Sequence, residues 1–552
     1  MRPAGKGPLE SLYFRYPIFE AGRTPEHDGR ADRHPVAIVG AGPIGMTAAL
    51  ALASYGVPSV LLERKNTFND GSRAICVARP SMQILQRIGA VEPFLAKALG
   101  WRFGQSFYRG HCIYRLEMPH GDHEKYLPMY NLQQQYIEQY LWDAVARCDL
   151  IDARWQSEVT GLAEEGEDGV TLRVECPAGA YDLRAAHVLA ADGARSALRS
   201  LLGLRLKGDN YEGRYAIADI RMVHDFPTER RAFFEPAGNP GGTVLIHKQP
   251  EDIWRVDYQL REGEREDDAM LEANVRRRVQ AILGDIGHAG GWELEWWSVY
   301  TANTLCLDDY RHGRVFFIGD SAHIVPIFGV RGLNNGLADA HNIAWKLGYV
   351  LGGHAGPALL DSYSPERRGA TLDVFANAGK STRFMTPPTR GWKLARDAAL
   401  SLAVRHDFTR ALANPRQMQP YTYASSPLTQ FPERDGAFTE GPSIGSAAPN
   451  VRLDDGSFLL DRLGEGFSGL WFTGGDSGAD PGDAPQRLFT ELRALDRRFT
   501  GLVVGPPATA VYGARPGSFY LLRPDLHVAA RWRTADAVES RRALSTCLGH
   551  RP

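Results

Sequence analysis

Between Val36 and Glu63 the chain spells out a strand, a glycine turn, a helix and a second strand. Val36-Ala37-Ile38-Val39 is a short apolar run of the kind buried in a parallel sheet. Gly40, Gly42 and Gly45 follow at G-x-G-x-x-G spacing, with Pro43 and Ile44 inside the motif. The first glycine permits a tight turn and the second lets the backbone approach a pyrophosphate. The third lets the next helix pack against the strand. Residues 46–55, rich in alanine and leucine, supply that helix, whose N-terminal N–H groups and dipole favour a phosphate. Residues 57–62 read as the second strand. Glu63 ends it 18 residues after Gly45, close to the spacing of an acid that binds ribose hydroxyls. The unit predicts a bound dinucleotide, against the plainer alternative of a glycine turn in some other βαβ unit.

Two later stretches also end a buried strand in an acid and a glycine. Residues 188–191 lead into Asp192-Gly193 and a helix carrying Arg195 and Arg199. Residues 314–318 end in Gly319-Asp320, followed by Pro326 and the glycine-rich turn 329–336, which opens a helix to about Leu351. Free N–H groups at that helix start can face a ligand, and the partial positive charge there stabilises an anion. Between these motifs residues 215–222, 242–247, 254–260 and 293–300 are strand-like and often alternate, with a helix near 268–283. They predict an antiparallel sheet placed as a roof over a substrate. Helices are also expected over 79–88 and 131–146, strands over 170–174 and 181–183, and an irregular arm over 1–35 pinned by Tyr13, Phe14, Tyr16 and Phe19.

A chain of 552 residues exceeds one ordinary domain. Its 43% apolar and 23% charged composition is that of a globular protein, and a net charge of −2 implies no attraction to nucleic acid. Arg276-Arg277-Arg278 reads as a solvated helix face. The six cysteines are scattered without a C-x-x-C, which fits a reducing cytoplasm and neither a disulfide framework nor a metal site. No apolar run is long enough to span a membrane, and residues 1–35 do not read as a signal peptide.

The three motifs in this order resemble the class A FAD-dependent monooxygenases, the aromatic hydroxylases, over roughly residues 36–385. The resemblance implies an α/β fold: a Rossmann-like FAD-binding domain (36–210 and 301–385) with an inserted antiparallel substrate sheet (211–300). It places Gly40, Gly42, Pro43, Ile44, Gly45, Glu63 and Arg64 at the ADP half of FAD. Arg73, Gln134, Asp192, Gly319 and Asp320 fall at further FAD positions, with Asp320 on the ribityl chain. The stretch 326–334 is similar to the family's flavin loop, where Gly332 and the backbone N–H groups of Leu333 and Asn334 face the isoalloxazine. The remainder is similar to the larger members, such as phenol hydroxylase and 3-(3-hydroxyphenyl)propionate hydroxylase. That likeness implies a helical linker (386–430) and a thioredoxin-like domain (431–552) that lacks C-x-x-C. Residues 467–473 and 508–512 are expected as strands there, and 520–532 as a hairpin. By analogy the chain forms a homodimer, and truncation after about Gln430 is expected to leave the flavin spectrum intact.

The chemistry so implied is hydroxylation of a phenolic ring by O2, with NADH or NADPH as transient co-substrate and no metal. A flavin C4a-hydroperoxide delivers the oxygen, and the protein orients the ring and excludes water. A phenolate directs the attack, so a base or acceptor near the hydroxyl is needed. His247, Tyr258 and Pro326 are the catalytic candidates, with Tyr300 and His323 also considered for the proton, and Arg255 and Tyr300 are the substrate candidates. The alternatives are a tailoring hydroxylase of a larger polyketide-like aromatic, a flavin-dependent reductase or halogenase, and a non-catalytic flavoprotein. The Trp-x-Trp-x-Ile segment expected of a halogenase is absent, and Trp296-Trp297 reads as core.

Overall fold

A computed structural model describes residues 1–550 apart from 31, 165, 167–168, 327–328, 411–419, 433–437 and 475–481. Strand His34–Val39 enters the glycine turn and helix Pro43–Ser54 leaves it. That strand pairs in parallel with Ser59–Leu62 on one side and Gly179–Ala190 on the other. Val315–Phe317 joins in parallel beyond Gly179–Ala190, and Ile151–Arg154 beyond Ser59–Leu62. All three motifs therefore leave the same edge of one doubly wound sheet, which is where such sheets hold ligands. The central strands are buried on both faces, and that is why they read as apolar runs and not as alternations.

The second sheet has eight strands. Its centre is Lys207–Arg221, flanked by Glu293–Cys306 and Ile253–Gln259, with Thr243–Lys248 and Arg230–Phe234 further out. It also recruits Phe103–Tyr108 and His111–Glu117, strands that the sequence reading did not foresee. Its register sorts the side chains by parity. Ala216, Ala218, Val256, Tyr258 and Trp297 pack with Val275, Val279 and Ile282 of helix Glu272–Asp285. Ile217, Asp219, Arg255, Asp257, His247 and Trp296 occupy the other face.

The N-terminal arm is pinned through its aromatics. Phe19 stacks on Trp155 at 4.1 Å, and Phe14 meets Phe68 and Tyr136. Arg2, Ser11 and the N–H of Leu12 all converge on the buried Glu295 carboxylate.

The C-terminal sheet orders its strands as Thr500–Val504, Ser468–Phe472, Phe519–Leu522 and Val528–Trp532. The first pair is parallel and the other two are antiparallel, so the 520–532 hairpin forms. Residues 508–512, expected as a strand, begin with the helix Ala508–Val511. The run Ala-Thr-Ala-Val is short, and its two alanines favour the helix once Pro507 starts the turn. The six cysteines are free thiols. No helix among the described residues is long and apolar enough to cross a membrane.

Candidate active site

A cavity of about 680 Å³ runs from the glycine turn, past the ends of the parallel strands, to the inner face of the second sheet. At the turn, Gly40 has φ +106°, a conformation that glycine adopts without strain. A side chain at Gly40 would collide with the carbonyl of Ala191, and one at Gly45 with the carbonyl of Gly40. At Gly42 a side chain would meet nothing but open space. The turn is thus closed on the protein side and open on the cavity side. Gly45→Ala is expected to force the helix from the strand at a cost of about 1–3 kcal/mol. Flavin content of the purified variant reads this, and full occupancy would show that the contact is not needed.

Glu63 braces the same turn. It accepts the N–H of Ala41 and that of Lys65, both at 2.9 Å, while still lining the cavity. Arg64, Arg73 and Gln134 also line it. The Gln134 Oε1 accepts the N–H groups of Arg73 and Ala74 at 3.1 Å, which fixes the loop before strand Cys76–Ala78.

Asp192 accepts the N–H of Leu198 through Oδ2, while its buried Oδ1 has no partner among the described residues. Asp320 lines the cavity and is exposed there. Burial raises the pKa of both acids. Gly319 and Gly45 hold backbone shape behind the cavity wall, outside its lining.

The helix Gly332–Leu351 begins at the cavity, so Gly332, Leu333 and Asn334 present the helix start to it. The Asn334 side chain is fully used: it accepts from Ala78 and Ser81 and donates to Cys76 and Val330. Val330 sits at φ +62°, strained for a β-branched residue, and it stands at the mouth of this helix. Ile327 and Phe328 of the expected flavin loop lie outside the described residues.

The second sheet closes the far end. His247, Arg255 and Tyr300 reach the cavity. Tyr258 does not: one residue on from Asp257, it faces the opposite side, beneath the Arg278 guanidinium. Pro326 is buried and outside the lining. His323 is buried behind the third motif, 2.7 Å from Asp339. Trp297 joins the core as expected, but Trp296 lines the cavity and packs against Gly71.

Arg255 directs Nε and Nη2 at Asp219, at 2.8 and 2.9 Å, and further donors at the carbonyls of Ser72 and Arg73. Its guanidinium ties the sheet to the cofactor-side loop. Burial and the neighbouring Arg230 and Arg255 push His247 down to about 3, so it is neutral at physiological pH.

Two residues that the sequence reading missed stand beside it. Asp257 is 7% exposed and Arg230 is 3% exposed, and both line the cavity. Asp257 was findable, because it alternates with Arg255 and so shares its face. Arg230 lies in a segment with no sequence signal of its own.

The residues fit FAD. The open face at Gly42 admits a pyrophosphate, and the unpartnered Asp192 oxygen and the Asp320 carboxylate offer acceptors to hydroxyl groups. The family comparison agrees with this geometry. Residues 33–378 match the family model described as FAD binding domain, and the chain belongs to that family. Within it, the protein is a class A FAD-dependent aromatic monooxygenase. The 3-(3-hydroxy-phenyl)propionate/3-hydroxycinnamic acid hydroxylase of Klebsiella pneumoniae (strain 342) is 29% identical over 491 residues, covering 86% of this chain and 84% of the relative. The fold is also that of the flavin-dependent monooxygenase PieE, solved with FAD and substrate, at TM-score 0.76 and 22% identity over 94% of this chain and all of the other. Aklavinone-11 hydroxylase, solved with FAD and aklavinone, superposes at TM-score 0.74 and 23% identity over the same shares.

Proposed function

We propose that the protein hydroxylates a phenolic ring with O2, using NADH or NADPH as reductant. The observation that carries this reading is one cavity joining the three cofactor motifs to a buried polar floor on the second sheet. When bound, FAD supplies the electrons through which O2 reacts with a closed-shell ring. Gly40, Gly42 and Glu63 would hold its ADP half, and Asp192 and Asp320 its hydroxyl-bearing chain. The helix start at Gly332–Asn334 would stabilise negative charge on its ring system. Trp296 and the sheet floor keep water from the reacting end.

A larger aromatic substrate is the second reading, supported by the likeness to aklavinone-11 hydroxylase. NADH and NADPH oxidation by the purified yellow protein separates the two when measured against small phenols and polycyclic phenols, with peroxide quantified alongside. The expected result is one small phenol that accelerates oxidation and gains ring oxygen with little peroxide. Acceleration only by polycyclic phenols moves the second reading ahead, and no response to either overturns both.

Asp320→Ala is expected to weaken FAD binding about 10–100-fold, the worth of hydrogen bonds to a charged group. Equilibrium titration of the apoprotein checks this. Unchanged affinity would remove Asp320 from the cofactor site.

A further inference from the structure

Three neighbouring strands of the substrate sheet, Arg230–Phe234, Thr243–Lys248 and Ile253–Gln259, bring Arg230, His247, Arg255 and Asp257 onto one face. Arg230 stands opposite His247, His247 stands opposite Arg255, and Asp257 follows on the same parity. The pairing of their polar atoms is uneven. Arg255 is consumed by Asp219 and the loop carbonyls. Asp257 Oδ1, Arg230 Nε and Nη1, and His247 Nδ1 are buried with no hydrogen-bond partner among the described residues. Buried donors and acceptors are nearly always paired, so this cluster in the wall of a cavity awaits a polar group of a ligand. It offers an acceptor next to a cation, which is what a hydroxyl that must lose its proton requires.

We propose that Asp257 accepts the phenolic proton of the substrate and that Arg230 holds the resulting phenolate oxygen. This rests on the phenolic reading above. The substrate O–H bond breaks, the proton bonds to a carboxylate oxygen of Asp257, and the electron pair stays on the phenolate oxygen, which accepts an N–H from Arg230. No oxidant enters the step.

The groups facing Asp257 support the assignment. Burial raises its carboxyl to about 7, with Asp219 adding to the rise and Arg255 and Arg230 opposing it. The remaining titratable neighbours carry no charge at neutral pH. Burial raises Tyr215, Tyr300 and Cys76, and His247 is held neutral. Asp257 is thus the group of the cluster whose charge changes near neutrality.

The test uses holoenzyme titrated with phenol and with 3-(3-hydroxyphenyl)propionate from about pH 5 to about 9, following the absorbance change of phenolate formation. Wild type is expected to ionise the bound phenol near neutral pH. Asp257→Asn is expected to move that ionisation up by about two units or more, toward the value of a free phenol. Its kcat is expected to fall about 10²-fold with little change in KM. Asp257→Glu restores part of the ionisation, and Arg230→Gln binds the phenol about tenfold more weakly. Flavin content shows that each variant is folded.

An Asp257→Asn enzyme that ionises phenol at the wild-type pH overturns the proposal and leaves the phenolic reading standing. Wild type that binds phenol un-ionised does the same. Failure of wild type to bind any phenol overturns the phenolic reading itself.

Discussion

Glu366→Ala is expected to cost about 3–5 kcal/mol of stability, because it strands buried cations without a partner. Glu366 is fully enclosed in helix Tyr363–Met385. It accepts both terminal nitrogens of Arg523, at 2.6 and 2.9 Å, the Lys346 ammonium at 2.7 Å and the Asn342 amide at 2.9 Å. Arg523 also pairs with Asp525, which receives Trp345 and Asn342. Arg523 and Asp525 belong to the C-terminal sheet region, and the others belong to helices that follow the third cofactor motif. The adjacent Arg367 holds Asp339 at 2.6 Å, and Asp339 accepts the N–H of Gly319 at 3.0 Å. The melting temperature and the temperature of flavin release are expected to fall together in the variant. A wild-type melt would show the network to be dispensable.

The Glu366 carboxyl is held below its usual range by Arg523 and Lys346. Its contribution is therefore present above the unfolded carboxyl pKa and lost as pH falls through the folded one. Truncation after about Gln430 removes Arg523 and Asp525. Contrary to the expectation from sequence, the shortened chain should lose flavin.

Asp257→Asn is expected to stabilise the protein, and by more at pH 8 than at pH 5. The Asp257 carboxyl rises from 3.8 to about 7 through burial. Between those values the folded chain keeps a proton that the unfolded chain gives up, so stability falls as pH rises. A shift of that size corresponds to about 4 kcal/mol as an upper bound, at about 1.4 kcal/mol per pH unit. The isosteric amide carries no such penalty. Melting curves of both proteins across pH read the difference directly. A gap that does not widen with pH would mean that Asp257 is ionised at little cost. Stability withheld at a binding site is a common accompaniment of function.

The glycine turn, the Asp192 and Asp320 strand ends and most central strands were legible because local chemistry dictates them. Gly40, Gly42 and Gly45 have few alternatives at a turn of that shape, and strands buried on both faces announce themselves as apolar runs. The substrate end was less legible because its polar residues are selected by register. His247, Arg255 and Tyr300 reach the cavity and Tyr258 does not, although parity along one strand already separates Tyr258 from Arg255. Arg230 and the strands Phe103–Tyr108 and His111–Glu117 become neighbours only through long-range pairing, which no local pattern encodes. The Glu366 network was invisible for the same reason: its partners lie up to 183 residues apart in sequence.

The threading of the cofactor sheet also sets an order on how a nascent chain can finish it. Strand His34–Val39 finds Ser59–Leu62 within a few dozen residues, but its other edge stays open until Gly179–Ala190 has been made. Gly179–Ala190 in turn waits for Val315–Phe317. During synthesis an apolar parallel strand therefore emerges from the ribosome well before its neighbour, an exposed edge of the kind that promotes aggregation. Contacts of such sequence separation also slow folding. The flavin pocket, whose last wall is the helix at Gly332, comes into being only after this interval, so cofactor supply can rescue the finished lobe but not the waiting edge.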